Sequence, residues 1–170
     1  MKIVLVGYMA SGKSTVGRLL ARQLGIRFID LDDYIEEHQK KSIKTIFSEK
    51  GEIFFRKLEH QMLNEVLGKE ESLVISTGGG TPCYGTNMTI ILDEADHSIY
   101  LDLSIPNLLD RISKEKENRP LVKNISDKEL PEFIGKHLFE RRPYYMQAKH
   151  ILDCNGTDAE TVVEKIKELL

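Results

Sequence analysis

No stretch of this sequence approaches the ~20 consecutive apolar residues that a bilayer span requires. The one early apolar run, Ile3–Val6, meets Gly7 before the core of a secretion signal could form. Neither a membrane span nor a leader is expected. Cysteine is scarce: Cys83 and Cys154 have no metal-ligand spacing and are too few for a disulfide framework, so both read as free thiols in a reducing, cytoplasmic setting. A basic excess is lacking too. The formal charge is −3 and the pI about 6.0, which leaves nothing to neutralise a nucleic-acid backbone or an anionic membrane face. Small molecules are the expected partners. The histidines, His38, His60, His97, His137 and His150, share no ligand spacing, and no Asn-Lys-x-Asp guanine reader of a GTPase switch occurs.

What is present suits one αβ domain. With 170 residues, 41% of them hydrophobic, the chain can bury well over half of its unfolded surface around a single core. Strand-length apolar runs at Ile3–Val6, Arg27–Asp30, Leu73–Ser76, Ser98–Leu101 and His150–Asp153 alternate with segments of 3.6-residue period. Such βα alternation predicts a three-layer αβα fold around a five-stranded parallel sheet. The last helix is predicted from one apolar stripe, Ala159, Val162, Val163, Ile166, Leu169 and Leu170, with Asp158 or Thr157 as its cap. No extended apolar stripe is left over, so a monomer is expected. The stretch from 32 to 67 is too long for a plain crossover and reads as an insertion of two helical stretches, broken near Lys40–Ser42 and again at Gly51. Residues 114–127, charged, poor in apolar side chains and broken by Pro120, read as a mobile surface segment.

Gly7-Tyr8-Met9-Ala10-Ser11-Gly12-Lys13-Ser14 satisfies G-x-x-x-x-G-K-[ST] between a strand and an amphipathic helix, the context in which backbone amides and a helix N-terminus cradle phosphate. Lys13 is expected to reach the β- and γ-phosphates and Ser14 to be a ligand of Mg²⁺. A second magnesium-side acid could be Asp102, which ends the strand run SIYLDL, or Asp30, which ends another and has Asp32 two residues on; Asp30 is preferred. Asp30 and Asp32 fall where ligands of open αβ sheets collect, although Asp32 and Asp33 could equally cap the helix that follows.

Behind these motifs stand Gly51-Glu52-Ile53-Phe54-Phe55-Arg56-Lys57-Leu58-Glu59, Gly78-Gly79-Gly80, Arg119-Pro120-Leu121 and Arg141-Arg142-Pro143-Tyr144-Tyr145. In this order the chain resembles the shikimate kinase family from Lys2 to about Thr157. The resemblance implies sheet order 2-3-1-4-5 and a single kinase domain: a P-loop core of 1–31 and 68–110, a substrate-binding insertion of about 32–67, a lid of about 112–127 around Arg119, and a C-terminal part of 128–170. It implies phosphorylation of shikimate to shikimate 3-phosphate by ATP with Mg²⁺, a step toward chorismate and the aromatic amino acids. Shikimate contacts carry over to Asp32, Arg56, Gly79 and Arg141, with Phe47 and Phe55 in the pocket. Nucleotide contacts fall on Ala10, Ser11, Gly12, Lys13, Ser14, Thr15, Arg111 and Arg119, metal contacts on Ser14 and Asp30, with Ser76 as an outer one, and catalysis on Lys13, Asp32 and Arg119. The family often places a charged residue against adenine near Thr157, where this chain has Cys154-Asn155-Gly156-Thr157. Independently, the arginines can grip a planar carboxylate, Glu59 can hold Arg56 from one turn away, and the glycines admit a substrate close to backbone amides. Gluconate-type or adenylate-type kinases, and a nucleotide switch without transferase activity, are the competing readings.

Overall fold

A computed structural model describes residues 1–170. The strands are β1 (Lys2–Val6), β2 (Arg27–Asp30), β3 (Leu73–Ser76), β4 (His97–Asp102) and β5 (His150–Asp153), all parallel in the order β2-β3-β1-β4-β5. Ile3 to Val6 and Leu73 to Ile75 are fully buried, as befits central strands covered on both faces. The register aligns Leu5 with Ser76 and Ser76 with Asp30, so Gly7, Asp30 and Ser76 all arrive at the carboxyl edge of the sheet.

The helices are α1 (Lys13–Leu24), α2 (Leu31–Gln39), α3 (Ile43–Lys50), α4 (Glu52–Leu67), α5 (Asn87–Glu94), α6 (Ile105–Glu115), α7 (Leu130–Tyr145) and α8 (Ala159–Lys167). The insertion therefore holds three helices where the sequence pattern suggested two. Gly51, at φ 84°, ends α3 and begins α4 by itself, which shrinks the boundary to one residue. The cap of α2 is Asp30 and not Asp32 or Asp33: its carboxylate accepts from the amides of both. Asp158 caps α8 through the Thr161 amide, but the helix stops at Lys167, and Leu169 and Leu170 lie beyond it, partly exposed.

Residues 114–127 are mostly exposed but carry two inward apolar side chains. α6 runs through Glu115 with Ile112 in the core, a short 3-10 turn follows at Lys116–Asn118, and Val122 is completely buried. Val122 joins the core and Ile125, partly buried, packs against it. No helix is long and apolar enough to cross a membrane.

Candidate active site

The phosphate loop is built from backbone conformations that most residues avoid. Gly7, Ala10 and Gly12 have φ of 151°, 61° and 92°, and Gly12 is the residue from which α1 starts. The loop wraps one side of a cleft of about 520 Å³ whose walls include Ala10, Gly12, Lys13, Ser14, Thr15, Asp30, Asp32, Arg111 and Arg119. Arg111 donates to the Ala10 carbonyl at 3.2 Å. Ser11 is expected on that wall, but it is buried beneath the loop, where its Oγ lies 3.4 Å from Lys13 Nζ.

Lys13 is 8% exposed and donates to the carbonyls of Gly7 and Tyr8 at 2.8 and 2.9 Å. Burial pulls its ammonium down to about 8. Ser14 Oγ donates to Asp30 Oδ2 at 2.5 Å and stands 3.4 Å from Ser76 Oγ. One carboxylate and two hydroxyls make a hard-oxygen donor set at the phosphate loop, the kind that suits Mg²⁺ completed by phosphate oxygens and water. Asp102 does not line this cleft; it pairs with Arg142 at 3.3 Å. Arg119, near the cleft mouth, is paired with Glu115, its Nε donating at 3.1 Å.

A second cavity of about 800 Å³ shares Asp32, Gly78, Gly79 and Arg119 with the first and extends to Phe47, Phe55, Arg56, Gly80 and Arg141. The two phenylalanine rings form its apolar wall, with centroids 4.5 Å apart. Arg56 is held by Glu59 and the Tyr84 ring, and Glu59 in turn by Thr81. Glu59, 1% exposed, accepts from Nη1 at 2.9 Å; Thr81 donates to the other Glu59 oxygen at 2.8 Å; and the Tyr84 ring lies 3.8 Å beneath the guanidinium. A Cβ on Gly80 would stand 2.9 Å from Arg56 Nη1 and 3.2 Å from Arg141 Nη2, so both guanidiniums converge on that glycine. At Gly79, the glycine the resemblance pointed to, a Cβ would meet Arg141 Nη1 and the Met9 amide, both at 3.3 Å.

Asp32 faces the junction of the two cavities. Burial first, then the nearby Asp30 and Glu59 carboxylates, push it up to about 7. A carboxylate so placed can take a proton near neutral pH. Burial pushes the Cys83 thiol up to about 11, which keeps it protonated near neutral pH. At the Thr157 segment, the Asn155 side chain is occupied with the Ser104 amide and the Asn107 amide group, at 2.8 and 2.7 Å.

Sequence reasoning missed the residues that support this site. Thr81, Tyr84 and His137 carry no motif, while Tyr8 stands at a variable position of the phosphate-loop motif and Tyr145 in another motif that assigns its tyrosine no role. Their partners are distant in the chain, so only the fold reveals them.

Comparison with known proteins decides the family. The family model for shikimate kinase matches residues 9–170. The chain belongs to the shikimate kinase family. It is 44% identical to the shikimate kinase of Flavobacterium psychrophilum over 99% of this chain and 98% of that one, and 45% identical to that of Phocaeicola vulgatus over 96% and 92%. Among solved structures, a shikimate kinase from Bacteroides thetaiotaomicron superposes with a TM-score of 0.92 at 39% identity, covering 99% of this chain and 97% of that one. One from Acinetobacter baumannii in complex with shikimate gives 0.89 at 34% identity, covering 99% and 91%. A deoxyadenosine kinase from M. mycoides, 22% identical with a TM-score of 0.62 over 99% and 98% of the two chains, shares the fold alone.

Proposed function

We propose that this chain transfers the γ-phosphoryl group of ATP to a ring hydroxyl of shikimate, giving shikimate 3-phosphate and ADP. The observation that carries this reading is the meeting of Arg56 and Arg141 at Gly80, on the far side of Gly78 and Asp32 from the phosphate loop. Two guanidinium forks there call for a planar carboxylate, and the acid between them and the phosphates calls for a hydroxyl.

In this reading Arg56 and Arg141 fix the acceptor's carboxylate, while Phe47 and Phe55 cover the apolar part of its ring. Asp32 orients the attacking hydroxyl and takes its proton as the oxygen–phosphorus bond forms and the bond to the ADP oxygen breaks. Lys13 exchanges its loop carbonyls, and Arg119 its Glu115 partner, for phosphate oxygens, so both cations meet the charge of the transition state. Ser14 and Asp30 would hold Mg²⁺, with Ser76 behind them; the ion's chemistry is to neutralise phosphate charge. The segment around Arg119 and Leu121 borders both cavities and would exclude water when the substrates are in place.

ADP release measured against a panel of acceptors tests the assignment. Shikimate should support turnover at least about 100-fold faster than gluconate or AMP, because AMP lacks the carboxylate for the two forks and gluconate lacks the rigid ring that rests on Phe47 and Phe55 and holds one hydroxyl toward Asp32. Preference for AMP or gluconate would redirect the assignment to the corresponding kinase type, and ATP binding with no acceptor turnover would point to a switch.

A further inference from the structure

α7 delivers Arg141 to the acceptor cavity, and the end of that helix is held on one side only, by buried Leu138 and Tyr145, the latter against the Tyr100 ring at 5.2 Å, and by the Arg142–Asp102 pair at 3.3 Å. Phe139, Glu140, Arg142, Pro143 and Tyr144 are all exposed, and Pro143, lacking an N–H, cannot bond the Phe139 carbonyl within the helix. On the side that faces the site, two side-chain hydrogen bonds add to this packing. Four residues before Arg141, His137 Nδ1 lies 2.8 Å from the Tyr8 hydroxyl; four residues after it, the Tyr145 hydroxyl donates to the Gly79 carbonyl at 2.5 Å. Positions four apart share a helix face, so His137, Arg141 and Tyr145 form one row toward the site.

The partners of these bonds are parts of the site itself. Gly79 is the residue along which the Arg141 guanidinium runs, 3.3 Å from where its Cβ would be. Tyr8 belongs to the phosphate loop and its carbonyl accepts from Lys13. Tyr145 is fully buried and Tyr8 1% exposed, so both hydroxyls work away from water, where an unmade bond is costly. Burial, aided by Arg141, pulls His137 down to about 4, which leaves the imidazole neutral beside the arginine.

We propose that Tyr145 and His137 are positioning residues that act through Arg141: they lock the last turns of α7 against Gly79 and Tyr8, so that the guanidinium stands ready for the acceptor's carboxylate. The proposal rests on the acceptor reading given above.

Calorimetry with shikimate and with ATP separates it from a merely structural role. Tyr145→Phe keeps the ring and removes the hydroxyl, and should weaken shikimate binding by about 3- to 10-fold while leaving ATP binding within about twofold. Combined with Arg141→Ala it should add less than about twofold, because its effect passes through that arginine. An equal loss with and without Arg141, an equal loss for ATP, or no loss at all would overturn the positioning role. If Tyr145→Phe fails to fold, His137→Phe keeps a ring, breaks the other tie and carries the same expectations. A wild-type protein that binds ATP but not shikimate would sink the acceptor reading and this inference with it. Wild-type binding of shikimate with an unaffected Tyr145→Phe would sink the inference alone.

Discussion

The Ser14 hydroxyl donates to one oxygen of Asp30 at 2.5 Å, while the other oxygen of that carboxylate caps α2 through the amides of Asp32 and Asp33 at 3.0 and 3.3 Å. One side chain thus fixes the start of the insertion and faces the phosphate cleft. Asparagine caps a helix about as well as aspartate, so Asp30→Asn should melt close to wild type. The lost carboxylate oxygen should nevertheless raise the Mg²⁺ concentration for half-maximal rate by about 10-fold or more. Asp102→Asn, which only breaks the pair with Arg142, should leave the Mg²⁺ dependence unchanged. A magnesium titration of both variants checks this, and equal responses would reassign the metal-side acid.

Asp32 does not cap α2, so its substitution reads out chemistry directly. Asp32→Asn should lose ~10²–10⁴-fold of turnover, whereas the exposed Asp33→Asn should be nearly silent. With Asp32 pushed up to about 7, kcat/KM should rise with pH through that value, and Asp32→Asn should lack this limb. The sign for stability is opposite. A carboxyl raised in the folded state contributes most below its unfolded value, about 4, and that contribution is lost as pH rises through about 7. Asp32→Asn should therefore melt above wild type at pH 8, with the gap closing toward pH 4, as thermal melts at both values will show.

Arg141 and Arg119 should separate the two substrates. A charged bidentate contact is worth roughly 1.5–3 kcal/mol, so Arg141→Ala should weaken shikimate binding by at least ~10-fold with ATP nearly unaffected. For Arg119→Ala, turnover should fall more than shikimate binding, since that cation is released from Glu115 to meet phosphate. Calorimetry with each ligand, beside steady-state rates, distinguishes the two patterns.

Lys13→Met should preserve the fold and lower turnover by about 10³-fold or more, because the charge acts mainly on the transition state. Circular dichroism with rates tests it; near-normal turnover would remove Lys13 from the chemistry.

Most of the fold was legible because its signals are local. Alternating buried strands and helices state the layers, and eight residues around Gly12 and Lys13 state the phosphate loop. The resemblance supplied the sheet order and the acceptor arginines. What stayed hidden depends on geometry between distant residues. Nothing near Asp32 says that the cap is Asp30, because both are acids at the same helix start. Glu59 could be placed one turn from Arg56, but Thr81 and Tyr84, which complete the arginine's seat, lie beyond β3. Val122 lies in a run read only as charged and poor in apolar side chains, and the folded chain supplies the core it enters. Gly80 was one of three adjacent glycines until the two guanidiniums were seen to converge on it.

The central claim is the transfer of phosphate between the two cavities, and identification of the product tests it most directly. The protein should be incubated with Mg²⁺, shikimate and ATP labelled at the γ-phosphate, and the labelled species resolved by mass spectrometry and ³¹P NMR. The account predicts one labelled product, shikimate esterified at its 3-hydroxyl, formed in equal amount to ADP. Label recovered only as inorganic phosphate, or on a nucleotide, would contradict it.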